Sequence, residues 1–458
     1  MATPASAGSA PSPGHNPRAR RYGLVALGLV ALAGFFAAQM ALQTRFNVHP
    51  DESAHTHAFC YFETHPWLPP LNAPDVEYDL YGQSRVYSRE VVYQVFGTLT
   101  RVLTRLTGQT TPCEAHYTTF RLLNVLTLLV TLGFVFAVGA RHAWAVALGV
   151  LMLATPQVLY LYSYANSDGL ALSASLGLML LALTERRPLT SLRRTLLLGV
   201  LTALVVLSKS SYWMSLIFAF GVLAWRAWPA RPNTRQAERA LWRRRAGNAL
   251  ALTVLVLGLI APLRIYYPLS QGGDFAAKLE QAREDHAIPE LKPSTGAYPT
   301  ARLRAKGVPF VAVLTSWPWF QATAMSFYGL FGYMTEHAPR LAYAVALLAL
   351  GLNSVLTVNV AARRWPAVPN LWKIGLMLGV VMGACGVLAS LYYSWTVDFQ
   401  PQGRYLFPIL VPLALAFGGT WPLETRRTRV VRLVSAAMAV AAAGYALWLA
   451  VLHNPALT

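Results

Sequence analysis

The run "YGLVALGLVALAGFFAAQMAL", residues 22–42, is apolar almost throughout and holds no charged residue. A helix of this length crosses the hydrocarbon core of a bilayer, which is about 30 Å thick. Its apolar residues are continuous rather than alternating, so a barrel strand is excluded. Arginines at positions 18, 20 and 21 precede the run, which is longer than the core of a usual signal peptide. The stretch predicts an uncleaved membrane anchor.

Comparable runs recur along the whole chain. Its 458 residues are 55% hydrophobic and only 12% charged, with a mean hydropathy of +0.41. These values are typical of polytopic membrane proteins and exclude an ordinary soluble domain. The predicted fold is therefore an all-α bundle of about eleven transmembrane helices, at 22–42, 118–140, 143–162, 168–184, 195–212, 213–228, 247–267, 341–361, 374–394, 406–422 and 433–452.

The net charge of +19 follows the topology of these spans. With the N-terminus in the cytoplasm, the basic clusters near 18–21, 186–194, 226–245, 363–373 and 426–432 all lie on the cytoplasmic side. Of the 19 acidic residues, only Glu185, Glu238 and Glu424 join them there. This asymmetry is the positive-inside rule, so the charge gives no support to nucleic-acid binding. Residues 1–21 are predicted as a disordered cytoplasmic tail, and residues 22–458 as one transmembrane domain.

Two large insertions, 43–117 and 268–340, are predicted to be extracytoplasmic, and long loops are common places for function. In the first, apolar residues at helical spacing across 92–106 predict an amphipathic helix on the membrane surface. In the second, a polar loop with one or two helical turns precedes the aromatic-rich run 316–339. That run is either an interface anchor or the wall of a substrate site. The first insertion also holds Cys60 and Cys113, and whether they form a disulfide stays open.

An adjacent acidic pair, Asp51 and Glu52, stands in "HPDESAH" (49–55), just beyond the first span. Asp51 is expected to cap a short helix in which Glu52 and His55 are neighbours. A carboxylate near the membrane surface is partly desolvated, which makes it a stronger base. Asp51 is therefore either a simple helix cap or a general base.

Histidines near this pair also raise a metal hypothesis. His49, His55 and His57 stand close to the two carboxylates, but the pattern does not match the zinc motif HExxH, because position 51 is Asp. A divalent cation such as Mg²⁺ or Mn²⁺, held by carboxylate and phosphate oxygens, stays open.

Further charged and polar residues stand at the outer ends of spans. Asn166 and Asp168 lie in "YSYANSDGLALS", Lys209 lies in "LSKSSYW", and Arg264 lies in "APLRIYYP". Anchoring at the lipid surface is the ordinary role of such cations. Cations gathered beside an outward carboxylate would instead suit a phosphate leaving group.

A late stretch, "DFQPQGRYLFPILVPL" (398–413), places Gln402, Gly403, Arg404 and Tyr405 at the mouth of a span. Gly403 frees the backbone, and the guanidinium of Arg404 can donate two parallel hydrogen bonds to a phosphate. The alternative is a plain Arg–Tyr anchor at the interface.

Three motifs carry a family resemblance: "PDE..H" at 50–55, "SF.G.FG" at 326–332 and "GRYL.P" at 403–408. With them, the chain resembles the GT-C class of membrane glycosyltransferases and, within it, a group of bacterial predicted membrane proteins. The chain holds neither a P-loop nor a GxGxxG motif, so chemistry is expected on the outer face of the bacterial inner (plasma) membrane.

The resemblance implies a GT-C-like bundle that uses a sugar on a polyprenyl phosphate. It gives Asp51 the role of general base, with Glu52 second, and puts Arg404 on the donor phosphate. Placement adds Lys209 and Arg264 at the phosphate, and as substrate-binding candidates His55, Asn166, Asp168, Gln402 and Tyr405. The expected acceptor is a glycan, lipid or protein of the cell envelope. The alternatives are a transporter or lipid flippase for an envelope precursor, and a non-catalytic scaffold.

Overall fold

The computed structural model describes residues 17–108, 111–227, 235–295 and 301–458. The regular structure of these residues is almost all helical, and several of the longer helices are joined by short 3-10 or π-helical turns. The helices are α1 Pro17–Gln43, α2 Glu52–Thr64, α3 Val91–Thr107, α4 Tyr117–Gly139, α5 Ala143–Leu153, α6 Pro156–Leu161, α7 Asp168–Thr184, α8 Leu192–Val206, α9 Met214–Ala227, α10 Arg235–Ala261, α11 Tyr267–Ser270, α12 Phe275–His286, α13 Phe310–Leu314, α14 Trp317–Tyr328, α15 Arg340–Arg363, α16 Asn370–Thr396, α17 Leu410–Gly419 and α18 Arg426–Leu447. A hairpin of two short strands, β1 Leu330–Phe331 and β2 Glu336–His337, follows α14.

Seven helical segments in the described part of the chain are long and apolar enough to cross a membrane: Arg21–Gln43, Cys113–Gly139, Glu238–Ser270, Arg340–Arg363, Asn370–Thr396, Gly403–Leu423 and Arg426–Leu452. The prediction of an all-α polytopic membrane protein is confirmed. The other four predicted spans coincide with shorter helices. The run 143–162 is broken into α5 and α6 at Thr155, because Pro156 cannot continue the helix.

Helices α7, α8 and α9 connect two polar faces of the bundle. At one end, Asp168 of α7 pairs with Lys209, which follows α8. At the other end, Glu185 follows α7 and pairs with Arg194 of α8, while Arg226 of α9 donates to backbone carbonyls at the end of α7. The three helices therefore run alternately between the same two faces, as the predicted topology requires.

The expected tail is shorter than predicted, because α1 already begins at Pro17. Residues 17–21 are helical, and the rest of the predicted tail, 1–16, lies outside the described residues.

The first insertion forms a compact cap in which α2 packs against α3. Phe59 and Phe62 of α2 and Phe96 of α3 are buried together, and Arg101 of α3 donates to backbone carbonyls near the end of α2. The predicted helix is present as α3, and its exposed side holds apolar residues: Val95, Leu99, Val102, Leu103 and Leu106. Its location on the membrane surface stays a prediction. A disulfide between Cys60 and Cys113 joins α2 to the turn before α4, which answers the question that the sequence left open.

The second insertion contains more helix than predicted. Helix α12 has 12 residues rather than one or two turns, and the Asp274 carboxylate caps it by accepting from the Ala277 N–H at 3.0 Å. The aromatic run forms α14, where Trp319 is completely buried and donates to the Ser394 hydroxyl at 3.0 Å. Trp317, by contrast, is 72% exposed. One aromatic side chain therefore anchors α14 in the bundle, and the other is free to contact lipid.

Candidate functional site

A cavity of about 720 Å³ opens where both insertions meet the helix bundle. Asp51 and Arg85 line it from the first insertion, Lys209 from the loop after α8, and Arg404 and Tyr405 from the turn before α17. Four of the ten predicted site residues thus line one cavity. Residues that line one cavity lie close together, which agrees with the prediction that these four residues share one side of the membrane.

Asp51 is half-exposed at the cavity wall, and its carboxylate accepts a hydrogen bond from Arg85 at 2.8 Å. Its backbone is left-handed, with φ 57°, and its side chain makes no cap hydrogen bond to α2. The interpretation as a helix cap is therefore wrong for the side chain. The Asp51 carboxylate thus lies at the cavity wall with Arg85 as its ion-pair partner.

Glu52 lies elsewhere, completely buried and outside the cavity lining. Its two oxygens accept from Nε and Nη2 of Arg121 at 2.7 and 2.8 Å. The backbone N–H groups of Asn47 and Ala165 complete its hydrogen bonds. The expectation that Glu52 shares the site with Asp51 is not met, because this carboxylate is fully used in holding α2 to α4.

Lys209 and Arg404 share one buried counter-ion. Asp168 Oδ2 lies 3.0 Å from Lys209 Nζ and 3.6 Å from Arg404 Nη1. Arg404 also donates to the Tyr164 hydroxyl and to Gln402 Oε1, both at 2.8 Å. Neither Asp168 nor Gln402 lines the cavity, and both contact the cations that do. Two cations facing one carboxylate leave the cavity wall with an excess of positive charge.

The aromatic ring of Tyr405 packs against both cations, and all three residues line the cavity. Its ring centroid lies 5.4 Å from Lys209 Nζ and 5.6 Å from Arg404 Cζ, within the range of cation–π attraction. Its hydroxyl donates to Gln400 Oε1 at 3.2 Å.

Gly403 brings two of the sequence motifs into contact. Its N–H donates to the Ser326 hydroxyl at 2.8 Å. A Cβ at this position would overlap the backbone of Phe327 and of Thr323. Only glycine therefore allows the turn that carries Arg404 to lie against α14.

The first and second motifs are joined through Tyr160 of α6. The Tyr160 hydroxyl lies 2.7 Å from His49 Nδ1 and accepts from the Gly332 N–H at 2.8 Å. Burial lowers the pKa of His49 well below its usual value, so this histidine is neutral. All three motif segments are thus in contact through hydrogen bonds that involve neighbouring residues.

His55 supports the site without lining it. It is buried, and its Nδ1 lies 2.7 Å from the Tyr93 hydroxyl. Burial lowers the pKa of His55 well below its usual value, and the charges of Arg85, Lys209 and Arg404 lower it further. The role of His55 in substrate binding stays a prediction, and the cavity lining does not include this residue.

Asn166 and Arg264 also have structural partners outside the cavity lining. Asn166 Oδ1 accepts from the first two N–H groups of α7. Arg264 donates to the carbonyls of Val206 and Ser208, which ties the end of α10 to the end of α8. Asn166 therefore begins a helix and Arg264 fastens two helices. Their predicted contacts with substrate or phosphate are not supported by the cavity lining, which includes neither residue.

The predicted metal ligands at 49–57 do not converge. Across the described ranges, the one group of three or more such side chains with close ligand atoms is Glu63, Cys113 and His116, at the far end of α2. A Mg²⁺ or Mn²⁺ ion at Asp51 stays a hypothesis without a preformed ligand set.

Sequence reasoning missed Arg85 and the apolar wall of the cavity. Arg85 was detectable as a cation in an insertion rich in acidic residues. The wall is formed by α9 and α16, through residues such as Met214, Ile217, Cys385 and Gly386. Hydropathy cannot reveal which face of a span turns toward a cavity, since all its faces are apolar. The cavity thus combines a cationic end with an apolar side.

Fold and site together define a polytopic all-α membrane protein with an amphipathic cavity. The chain belongs to the DUF2142 family of predicted membrane proteins, which matches residues 90–413. Lys209 and Arg404 lie inside that match, and Asp51 lies before it.

Two crystal structures of ArnT from Cupriavidus metallidurans are similar to this chain, one bound to undecaprenyl phosphate and one in the apo state. Their TM-scores are 0.47 and 0.45, each at 15% sequence identity. Each comparison covers 91% of this chain, but only 63% and 62% of the ArnT chains. No curated protein matches the sequence.

Proposed function

We propose that this protein is an outward-facing membrane glycosyltransferase that uses a polyprenyl-phosphate sugar to glycosylate a cell-envelope glycan, lipid or protein. The proposal rests on one observation: Asp51, Lys209 and Arg404 line a single cavity whose side wall is apolar. A carboxylate, two cations and an apolar wall are what a base, a departing phosphate and a lipid chain require.

The donor's lipid chain would lie along α9 and α16. Gly386 allows α16 and Met214 of α9 to pack closely there, because an added Cβ would stand 2.6 Å from Met214 Sδ. The phosphate would approach Lys209 and Arg404, whose shared carboxylate, Asp168, offsets only one of their two charges. An anion in this place gains attraction at little cost of rearrangement, because the cations are already oriented.

In the transfer step, Asp51 would accept the proton of the acceptor hydroxyl. The hydroxyl oxygen forms the new glycosidic bond while the bond from the sugar to the phosphate breaks. The electron pair of the broken bond leaves with the phosphate, and Lys209 and Arg404 stabilise its charge. Arg85, whose Nη2 lies 2.8 Å from Asp51 Oδ2, would hold the carboxylate in place at the cavity wall. A base of this kind contributes about 10²–10⁴ in rate.

Transfer is tested with purified full-length protein, a radiolabelled polyprenyl-phosphate sugar and envelope acceptors. Asp51→Asn should lower transfer by about 10²–10⁴. Glu77→Gln, on an exposed carboxylate of the same insertion, is the matched control and should keep full activity. Full activity in Asp51→Asn would overturn the role of Asp51. Movement of the lipid across a vesicle without covalent change would instead indicate the flippase.

Donor binding can be measured before the sugar is known. Cys385 lines the cavity and is the one cysteine outside the disulfide among the three of the sequence. A polyprenyl phosphate should slow maleimide labelling of Cys385, whereas the corresponding polyprenol and inorganic phosphate should not. Arg404→Gln should raise the lipid phosphate concentration that protects. Equal protection by the polyprenol would contradict a phosphate site at Arg404.

A further inference from the structure

A second cluster of side chains lies at the far end of α2, outside the cavity lining. It consists of two pairs with the same spacing, Cys60 with Glu63 and Cys113 with His116. We infer that reduction of the Cys60–Cys113 disulfide turns this cluster into a zinc(II) site with all four residues as ligands. The inference is independent of the proposed glycosyltransferase function.

The ligand atoms already converge in the oxidised protein. Glu63, Cys113 and His116 each offer an atom within 4.8 Å of the others. Glu63 Oε2 lies 3.3 Å from His116 Nδ1 and 2.8 Å from Cys113 Sγ. Cys60 Sγ is bonded to Cys113 Sγ, so the fourth donor is at the same place. Two sulfurs, one nitrogen and one oxygen give zinc(II) four donors of types that it binds, which is the number that a closed tetrahedral site needs.

The remaining polar atoms of the ligands are held from outside the cluster. The Thr104 hydroxyl donates to Glu63 Oε1 at 3.4 Å, and the Thr111 hydroxyl lies 2.9 Å from His116 Nε2. These contacts turn Glu63 Oε2 and His116 Nδ1 toward the sulfurs. Such outer partners orient metal ligands in established sites. The side chains of His116 and Glu63 are only 7% and 11% exposed, so the ligands are also shielded from water.

A simple ion pair does not account for the whole cluster. It explains why Glu63 faces His116, but not why the same oxygen faces Cys113. A disulfide sulfur carries no hydrogen, so this close approach is not a hydrogen bond. Once the sulfur is a thiolate, a cation between it and the carboxylate turns the approach into shared coordination.

The redox step balances with an external dithiol or phosphine as reductant. Two electrons and two protons convert the disulfide to two thiols while the reductant is oxidised. Each thiol then loses its proton to solvent as it binds the metal, which stays zinc(II). The disulfide in one state and the metal in the other link α2 to the turn before α4, so the cap stays closed in both.

The test uses full-length protein in detergent, reduced with a phosphine that is then removed. Reduced protein should bind one zinc per chain with two proton equivalents released, and untreated protein should bind none. Cobalt(II) should give a thiolate-to-metal charge-transfer band that disappears when zinc is added. Zinc should also protect Cys60 and Cys113 from alkylation while Cys385 still reacts, which provides an internal control.

Two variants identify the ligands besides the sulfurs. Glu63→Gln keeps the shape of the side chain and should weaken zinc binding at least tenfold, as should His116→Ala. His65→Ala, on an exposed histidine of the same insertion, should bind as the unaltered protein does. The inference is overturned if reduced protein binds no more zinc than oxidised protein, or if both ligand variants retain full affinity.

Discussion

The two adjacent carboxylates should respond in opposite ways to the same change, loss of charge with shape retained. Glu52→Gln leaves Arg121 buried without its partner, because both residues are completely shielded from solvent. Breaking a buried ion pair on one side costs about 3–5 kcal/mol. Asp51→Asn removes only a partly exposed pair with Arg85, whose side chains are 42% and 25% exposed. Such a pair contributes at most about 1 kcal/mol.

The substitution at position 51 is chosen to spare the backbone. Asp51 adopts φ 57°, a left-handed conformation that Asn also tolerates but that is strained for most other residues. Alanine at this position would add a conformational cost to any catalytic effect. Asp51→Asn therefore removes the charge of the carboxylate without adding this conformational cost.

The assay compares apparent unfolding midpoints in one detergent, followed by tryptophan fluorescence, with transfer activity on the same samples. Glu52→Gln should lower the midpoint by about 5–10 °C, while Asp51→Asn should stay within about 2 °C of the unaltered protein. Activity should show the reverse order when measured below both midpoints. Equal midpoints for the two variants, or a larger drop for Asp51→Asn, would refute the assignment of structural and chemical roles.

Three further outcomes follow from the geometry. Gly403→Ala should destabilise the fold by more than 3 kcal/mol, roughly a severe overpacking cost, and abolish donor protection of Cys385, because the new Cβ overlaps the backbone of α14. Gly351→Ala, in the interior of α15 where nothing lies within 4 Å, is the matched control and should not lower the unfolding midpoint. Since burial holds the pKa of both His49 and His55 well below 6.5, the stability they contribute is present above pH 6.5 and should fall below it, at up to about 1.4 kcal/mol per pH unit for each histidine. A flat unfolding midpoint between pH 7 and 5.5 would contradict that expectation. Arg404→Lys should keep the charge but lose the hydrogen bonds to Tyr164 and Gln402, so we expect donor protection of Cys385 to weaken about tenfold, which a titration would check.

Hydropathy predicted the location of the spans well because almost every residue of a helix that crosses lipid must be apolar. It failed where a single residue ends or begins a helix. Pro156 divides the span predicted at 143–162. Asp274 caps the start of α12, in a segment predicted to be a loop with one or two helical turns. Both signals were present in the sequence as a breaker and a cap, but they act over a few residues and are lost in a window of twenty.

Residues of the cavity could be predicted only where the type of a residue was unusual for its position. Lys209 and Arg404, which line the cavity, were selected because each is a cation at the predicted outer end of a span. Asn166 and Arg264 met the same criterion, yet their partners are backbone groups that no motif specifies. Arg121, the buried ion-pair partner of Glu52, is 69 positions away from it along the chain. Sequence patterns identify which groups are charged, whereas only the fold tells which partner satisfies each charge.

The acidic pair shows why adjacency in sequence is a poor guide to shared function. Asp51 lies in a left-handed turn and Glu52 is the first residue of α2, so the chain changes direction between them. The turn leaves the Asp51 carboxylate at the cavity wall, while the helix carries Glu52 inward against α4. If Asp51 were part of α2, its φ would have to change from 57° to a right-handed helical value, and its side chain would no longer be directed away from that of Glu52. The buried ion pair between Glu52 and Arg121 therefore holds the start of α2 against α4, and with it the position of Asp51 at the cavity wall.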